Sequence, residues 1–327
     1  MSSEHLINEV RKIGIYSEYA RVIAYQYLKE EIINVDSIIG KGSVNKIYLV
    51  QSNHVKVIVR MNADVGAFND YQKEQWCMKK AAELGIPSPS VFEIGRYKNI
   101  TYMIQSFVEG RHGEDKEANK LALWKRIGEY SKKIHSVKTT GFGENLIDLE
   151  RGIFQSPSHD NFDGTWPSFV QYNIDSLTDD DELLKLGVIT VNQSKKAKHL
   201  FKKLLDRKFS FGLNHGDLSL KNTLIDQDGT VTLLDWGCAE VNIIPHGDIL
   251  QLIQGQIEND NPSEEELQAF LDGYGHLLHH YPNLQDELNE LLLIRAFDKL
   301  RWAIDRHPPS IPHFVAYAKK VTSFILN

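Results

Sequence analysis

The chain has 327 residues, 42% of them hydrophobic and 25% charged, with a net charge of -7 at pH 7. That length holds two lobes with a core each, and the acidic balance argues against a general nucleic-acid binder, which presents a basic face. Two cysteines (Cys77 and Cys238) make no disulfide framework, no apolar run approaches the roughly 20 residues that span a bilayer, and Glu4, Glu9, Arg11 and Lys12 stand where a signal peptide is apolar, so the expectation is a cytoplasmic protein without membrane or nucleic-acid partners.

In chain order, Ile7, Val10 and Ile13, then Ala20, Ile23, Ala24, Tyr27 and Leu28, recur at helical spacing. They predict two short helices broken near Gly14, an N-terminal helical extension over residues 1–35. Residues 38–50 and 55–61 are rich in β-branched side chains and flank Ser52-Asn53-His54, which predicts an antiparallel pair joined by a tight turn. Between the strand-like runs lies Ile39-Gly40-Lys41-Gly42-Ser43, where Gly40 and Gly42 let the backbone approach phosphate oxygens and Ser43 adds a hydroxyl. Alternation puts Lys56, Ile58 and Arg60 on one face, with Arg60 at the strand's end. Residues 68–84 return to helical periodicity, and Gly85 with Pro87 and Pro89 ends the helix; its Glu74 is the candidate acidic partner of Arg60. Strands follow over 91–96 and 100–107. From about Leu121 the pattern is helical except for a hairpin over 222–235, turning at Asp228-Gly229. The fold class expected is α+β, a bilobal protein kinase-like plan. Its lobes are a small antiparallel sheet with a helix over 36–106 and a larger, mainly helical lobe over 107–327.

The chemistry is concentrated in His215-Gly216-Asp217-Leu218-Ser219-Leu220-Lys221-Asn222 and in Asp235, thirteen residues after Asn222. An Asp, an Asn and a second Asp at this spacing suit phosphoryl transfer: one carboxylate takes the proton of an attacking hydroxyl, and the other two groups hold metal ions that neutralise the phosphates. His-Gly-Asp occurs twice, but only at 215–217 is it followed by an Asn and an apolar strand leading to a second Asp. The copy at 246–248 runs into an apolar helix, so Asp248 reads as a cap or brace. Three other features take plainer readings. Thr178 through Glu182 reads as a capping box, the histidines never form a convincing zinc spacing, and Arg295, Asp298, Arg301, Trp302 and Asp305 read as surface ion pairs on a helix, although they could border a substrate cleft.

Taken together, these residues resemble the aminoglycoside phosphotransferase family of the kinase-like superfamily. The resemblance rests on the 215–222 run, on Leu234-Asp235-Trp236 and on Pro245-His246-Gly247-Asp248-Ile249-Leu250. Arg60-Met61-Asn62, Gly85-Ile86-Pro87-Ser88-Pro89 and Thr140-Gly141-Phe142-Gly143 are similar to the hygromycin-type members. It implies that Asp217 is the base or orienting group for the acceptor hydroxyl, that Asn222 and Asp235 ligate Mg2+, that His215 braces the loop, and that Asp248 ties the loop to the next helix. It also implies an ATP site, with GTP as a possible donor, formed by Gly40, Gly42, Ser43, Ile58, Arg60, Glu74 and the joining segment Gln105-Ser106-Phe107. Arg60 stands where lysine is more usual, and a planar guanidinium is not equivalent to a compact ammonium. Only 12 residues separate Asp235 from Asp248, too few for the activation segment of a protein kinase. The acceptor implied is a small hydroxylated molecule, cationic in the case of the first candidate, an aminoglycoside-type antibiotic. A metabolic kinase for an amino alcohol, sugar or nucleoside comes second, and a nucleotide-binding regulator without turnover third.

Overall fold

The computed structural model describes residues 3–38, 45–275 and 277–327. The first helix, α1 (Ser3–Leu28), runs unbroken where the sequence predicts two short helices. One glycine weakens a helix by about 1 kcal/mol relative to alanine without ending it. Packing supplies the rest: Ala20, Ile23 and Ala24 form one apolar stripe buried with Val50, Val57, Val59, Met61 and Ile104. The segment expected as an extension is thus part of a core.

Five antiparallel strands carry that helix: β1 (Ile32–Ser37), β2 (Lys46–Ser52), β3 (Lys56–Asn62), β4 (Val91–Tyr97) and β5 (Ile100–Ser106), in the order β1-β2-β3-β5-β4. The hairpin of β2 and β3 closes at the predicted turn, where the Ser52 N–H donates to the Val55 carbonyl at 2.9 Å. β1 was not foreseen, because most of its residues are at least partly exposed and it lacks a clear alternation of buried and exposed positions. Between β3 and β4 lies α2 (Ala67–Glu83). It ends as predicted, with the Ile86 N–H on the Ala81 carbonyl at 3.0 Å, the Gly85 N–H on Ala82 at 2.9 Å and Gly85 at φ +72°, a left-handed turn that glycine adopts without strain. A two-residue strand, β6 (Arg111–His112), follows.

The chain continues through α3 (Lys120–Ile134), then β7 (Thr140–Phe142), β8 (Asn145–Asp148) and β9 (Ile153–Gln155). This small sheet was not foreseen, since strands of three or four residues are too short to show a period. Next come α4 (Trp166–Asp175), α5 (Glu182–Lys185), α6 (Val191–Asp206), β10 (Phe211–Asn214), β11 (Thr223–Ile225), β12 (Val231–Leu233) and β13 (Glu240–Ile243). The last helices are α7 (His246–Asn259), α8 (Glu264–Tyr274), α9 (Leu277–His280), α10 (Leu284–Arg306) and α11 (Ile311–Leu326). α5 is capped by Asp181, whose carboxylate accepts the Leu183 N–H at 3.1 Å, and not by Thr178 as the sequence suggests. No described helix is long and apolar enough to cross a membrane.

Contacts divide the chain into two units, Met1–His112 with Thr223–Gly237, and Gly113–Asn222 with Cys238–Asn327. The first is therefore assembled from two stretches of sequence, unlike the contiguous ranges expected. β11 pairs with both β6 and β12, and the Leu233 N–H donates to the Pro87 carbonyl at 2.9 Å, so the hairpin belongs to the sheet-bearing unit. In the second unit α3 and α8 approach backbone to backbone. A Cβ on Gly128 would stand 2.0 Å from the Phe270 carbonyl oxygen, and one on Gly273 1.9 Å from that of Lys125.

Candidate active site

In the helical unit, β10 leads into the loop that carries His215, Gly216 and Asp217. The Asp217 side chain is 28% exposed, and its Oδ2 accepts a hydrogen bond from Asn222 Nδ2 at 2.8 Å; the same nitrogen reaches the Asp217 carbonyl at 3.0 Å. Both Asn222 donor bonds go to Asp217, which leaves its Oδ1, an acceptor, for another group. Lys221 Nζ lies 3.7 Å from the same carboxylate. His215 is fully buried and its Nδ1 accepts the Asp217 N–H at 3.4 Å, a geometry that suits bracing. Gly216 has φ +78°, and a Cβ there would fall 2.1 Å from the Cys238 carbonyl oxygen, so any other residue collides with backbone.

Asp248 holds this loop from α7. Its Oδ1 accepts the Gly216 N–H at 3.1 Å, its Oδ2 accepts from Ser131 Oγ at 3.0 Å and lies 3.1 Å from His135 Nε2, and its own N–H donates to Asn214 Oδ1 at 3.0 Å. Burial alone would push this carboxyl up, yet the bonds from His135 and Gly216 hold it below the usual carboxylate range. No side-chain capping bond is made at the start of α7, so Asp248 is a brace and not a cap. Ser131, His135, Asn214 and Tyr274, whose hydroxyl is 2.8 Å from His135 Nδ1, were missed from sequence. No local pattern marks them. Gln251, whose Oε1 accepts the Leu218 N–H at 3.0 Å, was missed for the same reason.

In the sheet-bearing unit, Arg60 at the end of β3 meets Glu74 of α2 in a two-pronged pair, at 2.5 Å and 3.2 Å, with 6% and 2% of the residues exposed. Arg60 Nη2 is 3.8 Å from Asp235 Oδ1. Burial pushes the Glu74 carboxyl up and Arg60 opposes it; burial also works against the Arg60 charge, but Glu74 and Asp235 together raise its affinity for the proton. Asp235 has φ +55°, a left-handed conformation that Asp tolerates better than most residues, and its side chain is 45% exposed. Lys73, next to Glu74 and missed from sequence, is buried and donates to the Gly237 carbonyl at 2.8 Å, which ties α2 to the segment after Asp235. Ile58 is buried and pairs in register with Gln105. Gln105 Oε1 is buried without a partner among the described residues, Ser106 exchanges hydrogen bonds with Ser90, and Phe107 lies 5.3 Å beneath Lys56 Nζ. Lys56 is 3.7 Å from Glu109 and half-exposed, unlike the buried Arg60. Gly40, Gly42 and Ser43 lie outside the described residues.

On α10, Trp302 and Asp305 are exposed as the surface reading expects, but Arg301 is not. Arg301 is buried and bonds Asn173 at 3.0 Å and Asp181 at 2.7 Å, on other elements and not one turn away on its own helix.

Among solved structures, the aminoglycoside phosphotransferase APH(4)-Ia matches with a TM-score of 0.66 at 17% identity, covering 93% of this chain and 98% of that one. A putative fructosamine-3-kinase from Haemophilus somnus matches with a TM-score of 0.60 at 12% identity, over 94% of this chain and 97% of that one. The spectinomycin phosphotransferase APH(9)-Ia, in complex with ADP and spectinomycin, matches with a TM-score of 0.55 at 13% identity, over 91% and 93%. A Staphylococcus aureus protein described as "Uncharacterized protein in ileS 3'region" is 26% identical over 125 residues, 37% of this chain and 92% of that protein. The solved structures share the fold of this chain, and the sequence model of the phosphotransferase enzyme family covers residues 37–291. The chain belongs to the phosphotransferase enzyme family.

Proposed function

We propose that this enzyme transfers the γ-phosphoryl group of ATP, with GTP as the alternative donor, to a hydroxyl of a small polar acceptor. The observation that carries the reading is Asp217 itself, a partly exposed carboxylate fixed by Asn222 at 2.8 Å on a loop braced by Asp248. Its role is to orient the acceptor hydroxyl and accept its proton, while Arg60, locked by Glu74, offers a rigid guanidinium to the donor phosphates. The oxygens of Asn222 and Asp235 suit Mg2+, a hard cation that takes one or two protein ligands and fills the rest of its shell with water and phosphate. When bound, the ion would neutralise phosphate charge. Positioning and electrostatics supply most of the catalysis in such transfers.

The first candidate acceptor is an aminoglycoside-type antibiotic, supported by what the neighbours APH(4)-Ia and APH(9)-Ia are named for. A metabolic small-molecule acceptor is the second reading, favoured by two cations on α10, Arg295 and Lys299, for which no ion pair is found among the described residues. A regulator without turnover is disfavoured by the intact set of Asp217, Asn222 and Asp235. The test is Asp217→Asn. ADP release in the presence of a true acceptor should fall by about 10²–10⁴-fold, while calorimetric binding of ATP persists. Wild-type turnover in that variant would sink the assignment.

A further inference from the structure

Three cations in the middle of α10, Arg295, Lys299 and Arg301, are treated differently. Arg301 is fully used by Asn173 and Asp181. Arg295 and Lys299, one turn apart and therefore on one face, are not. Among the described residues, Arg295 Nη1 is buried with no hydrogen-bond partner, and so is the hydroxyl of Tyr317 on α11, a residue on which Arg295 acts electrostatically. Lys299 makes no hydrogen bond or ion pair among the described residues; its Nζ lies 6.0 Å from the Phe314 ring centroid.

The acidic groups that act on the two cations make their hydrogen bonds and ion pairs with other residues. Glu258 is bonded to Gln254 at 3.1 Å and lies 3.2 Å from His313, Glu240 accepts from Asn242 at 2.7 Å, and Asp298 accepts from Asn173 at 3.3 Å. Burial, then the Arg295 charge, pushes the Lys299 ammonium down to about 8, against the pull of Glu258, Glu240 and the Cys238 thiol. Unpaired partly buried cations are costly, and Arg beside Lys with a free hydroxyl is a donor set matched to an oxyanion. Cys238, one of the groups that act on Lys299, is also the residue whose carbonyl lies against Gly216, which links Lys299 to the loop that carries Asp217.

We propose that Arg295, Lys299 and the Tyr317 hydroxyl form an oxyanion holder in the acceptor subsite, which takes a carboxylate or phosphate group carried by the hydroxylated acceptor. The inference rests on the phosphotransferase reading and narrows it, because a polycationic acceptor meets like charge there while an anionic one completes the site.

The test measures ADP release with ATP and Mg2+ for matched acceptors, D-gluconate against D-sorbitol and ribose 5-phosphate against ribose, with hygromycin B as the polycation. At least one anionic member should show a KM about tenfold below its neutral partner, and which pair responds separates a carboxylate from a phosphate. Lys299→Met and Arg295→Met should erase that difference. The wild-type KM for the anionic member should climb as pH rises through about 8, where Lys299 loses its charge, and the Lys299→Met profile should be flat there. Equal or better turnover of the neutral and cationic acceptors overturns the proposal. If no acceptor is turned over, the function reading fails separately, and a second arm still tests the holder. With AMP-PNP and Mg2+ saturating the nucleotide site, inorganic phosphate should raise the Tm of wild type and not of Lys299→Met; an equal rise in both overturns the proposal. Lys299→Met is expected to fold, since it removes a cation without a partner.

Discussion

At the scale of single residues, Gly216 shows why the His-Gly-Asp motif is spelled as it is. Its φ of +78° and the Cys238 carbonyl oxygen, 2.1 Å from where a Cβ would sit, exclude a side chain on two independent grounds. Gly216→Ala should lower stability by about 1–3 kcal/mol in urea melts and reduce kcat more than KM, because the displaced backbone carries Asp217. Gly229→Ala is the control, since its φ of +81° is equally strained but no atom lies within 4 Å of its Cβ position. Equal losses in the two variants would mean that the Cys238 contact is unimportant. The pairing of Arg60 with Glu74 was legible because they lie on elements adjacent in the chain, Arg60 near the end of β3 and Glu74 in the middle of the helix that follows. The partners of Asp248 were not. Ser131 and His135 lie more than a hundred residues away, and nothing in their neighbourhood marks them.

At the scale of elements, helix ends were read well where a residue's conformation forces the outcome, as at Gly85. They were read less well where a neighbour decides, as at α5, whose cap Asp181 is also the partner of Arg301. The crossing of α3 and α8 depends on Gly128 and Gly273, which look like weak points in helical runs when only propensity is considered. Gly128→Ala would improve propensity by roughly 1 kcal/mol, yet its Cβ would stand 2.0 Å from the Phe270 carbonyl. The steric effect should win, since neither backbone can give way alone. A net loss of about 2 kcal/mol or more in chemical denaturation is expected, and a stabilised variant would show that the helices separate freely.

At the scale of the whole molecule, the sheet-bearing unit recruits Thr223–Gly237 from far along the chain. Leu233 is 1% exposed there and its N–H holds the Pro87 carbonyl. Leu233→Ala should cost about 2–5 kcal/mol, and hydrogen exchange should quicken in β2, β3 and β5 before α10 and α11. Uniform quickening, or quickening confined to the helices, would contradict that division. The sequence by itself determined the reaction class and the α+β kinase-like plan, because motif spacing and hydrophobic period are local properties written directly in residue order. Tertiary structure decided what those patterns cannot encode. It placed α1 in the core, required glycine at 216, gathered the network around Asp248, and left Arg295 and Lys299 without an ion pair among the described residues while it paired Arg301. Each of these depends on which distant groups share one buried space, and in such a space a polar atom is stable only with the partner the fold brings to it.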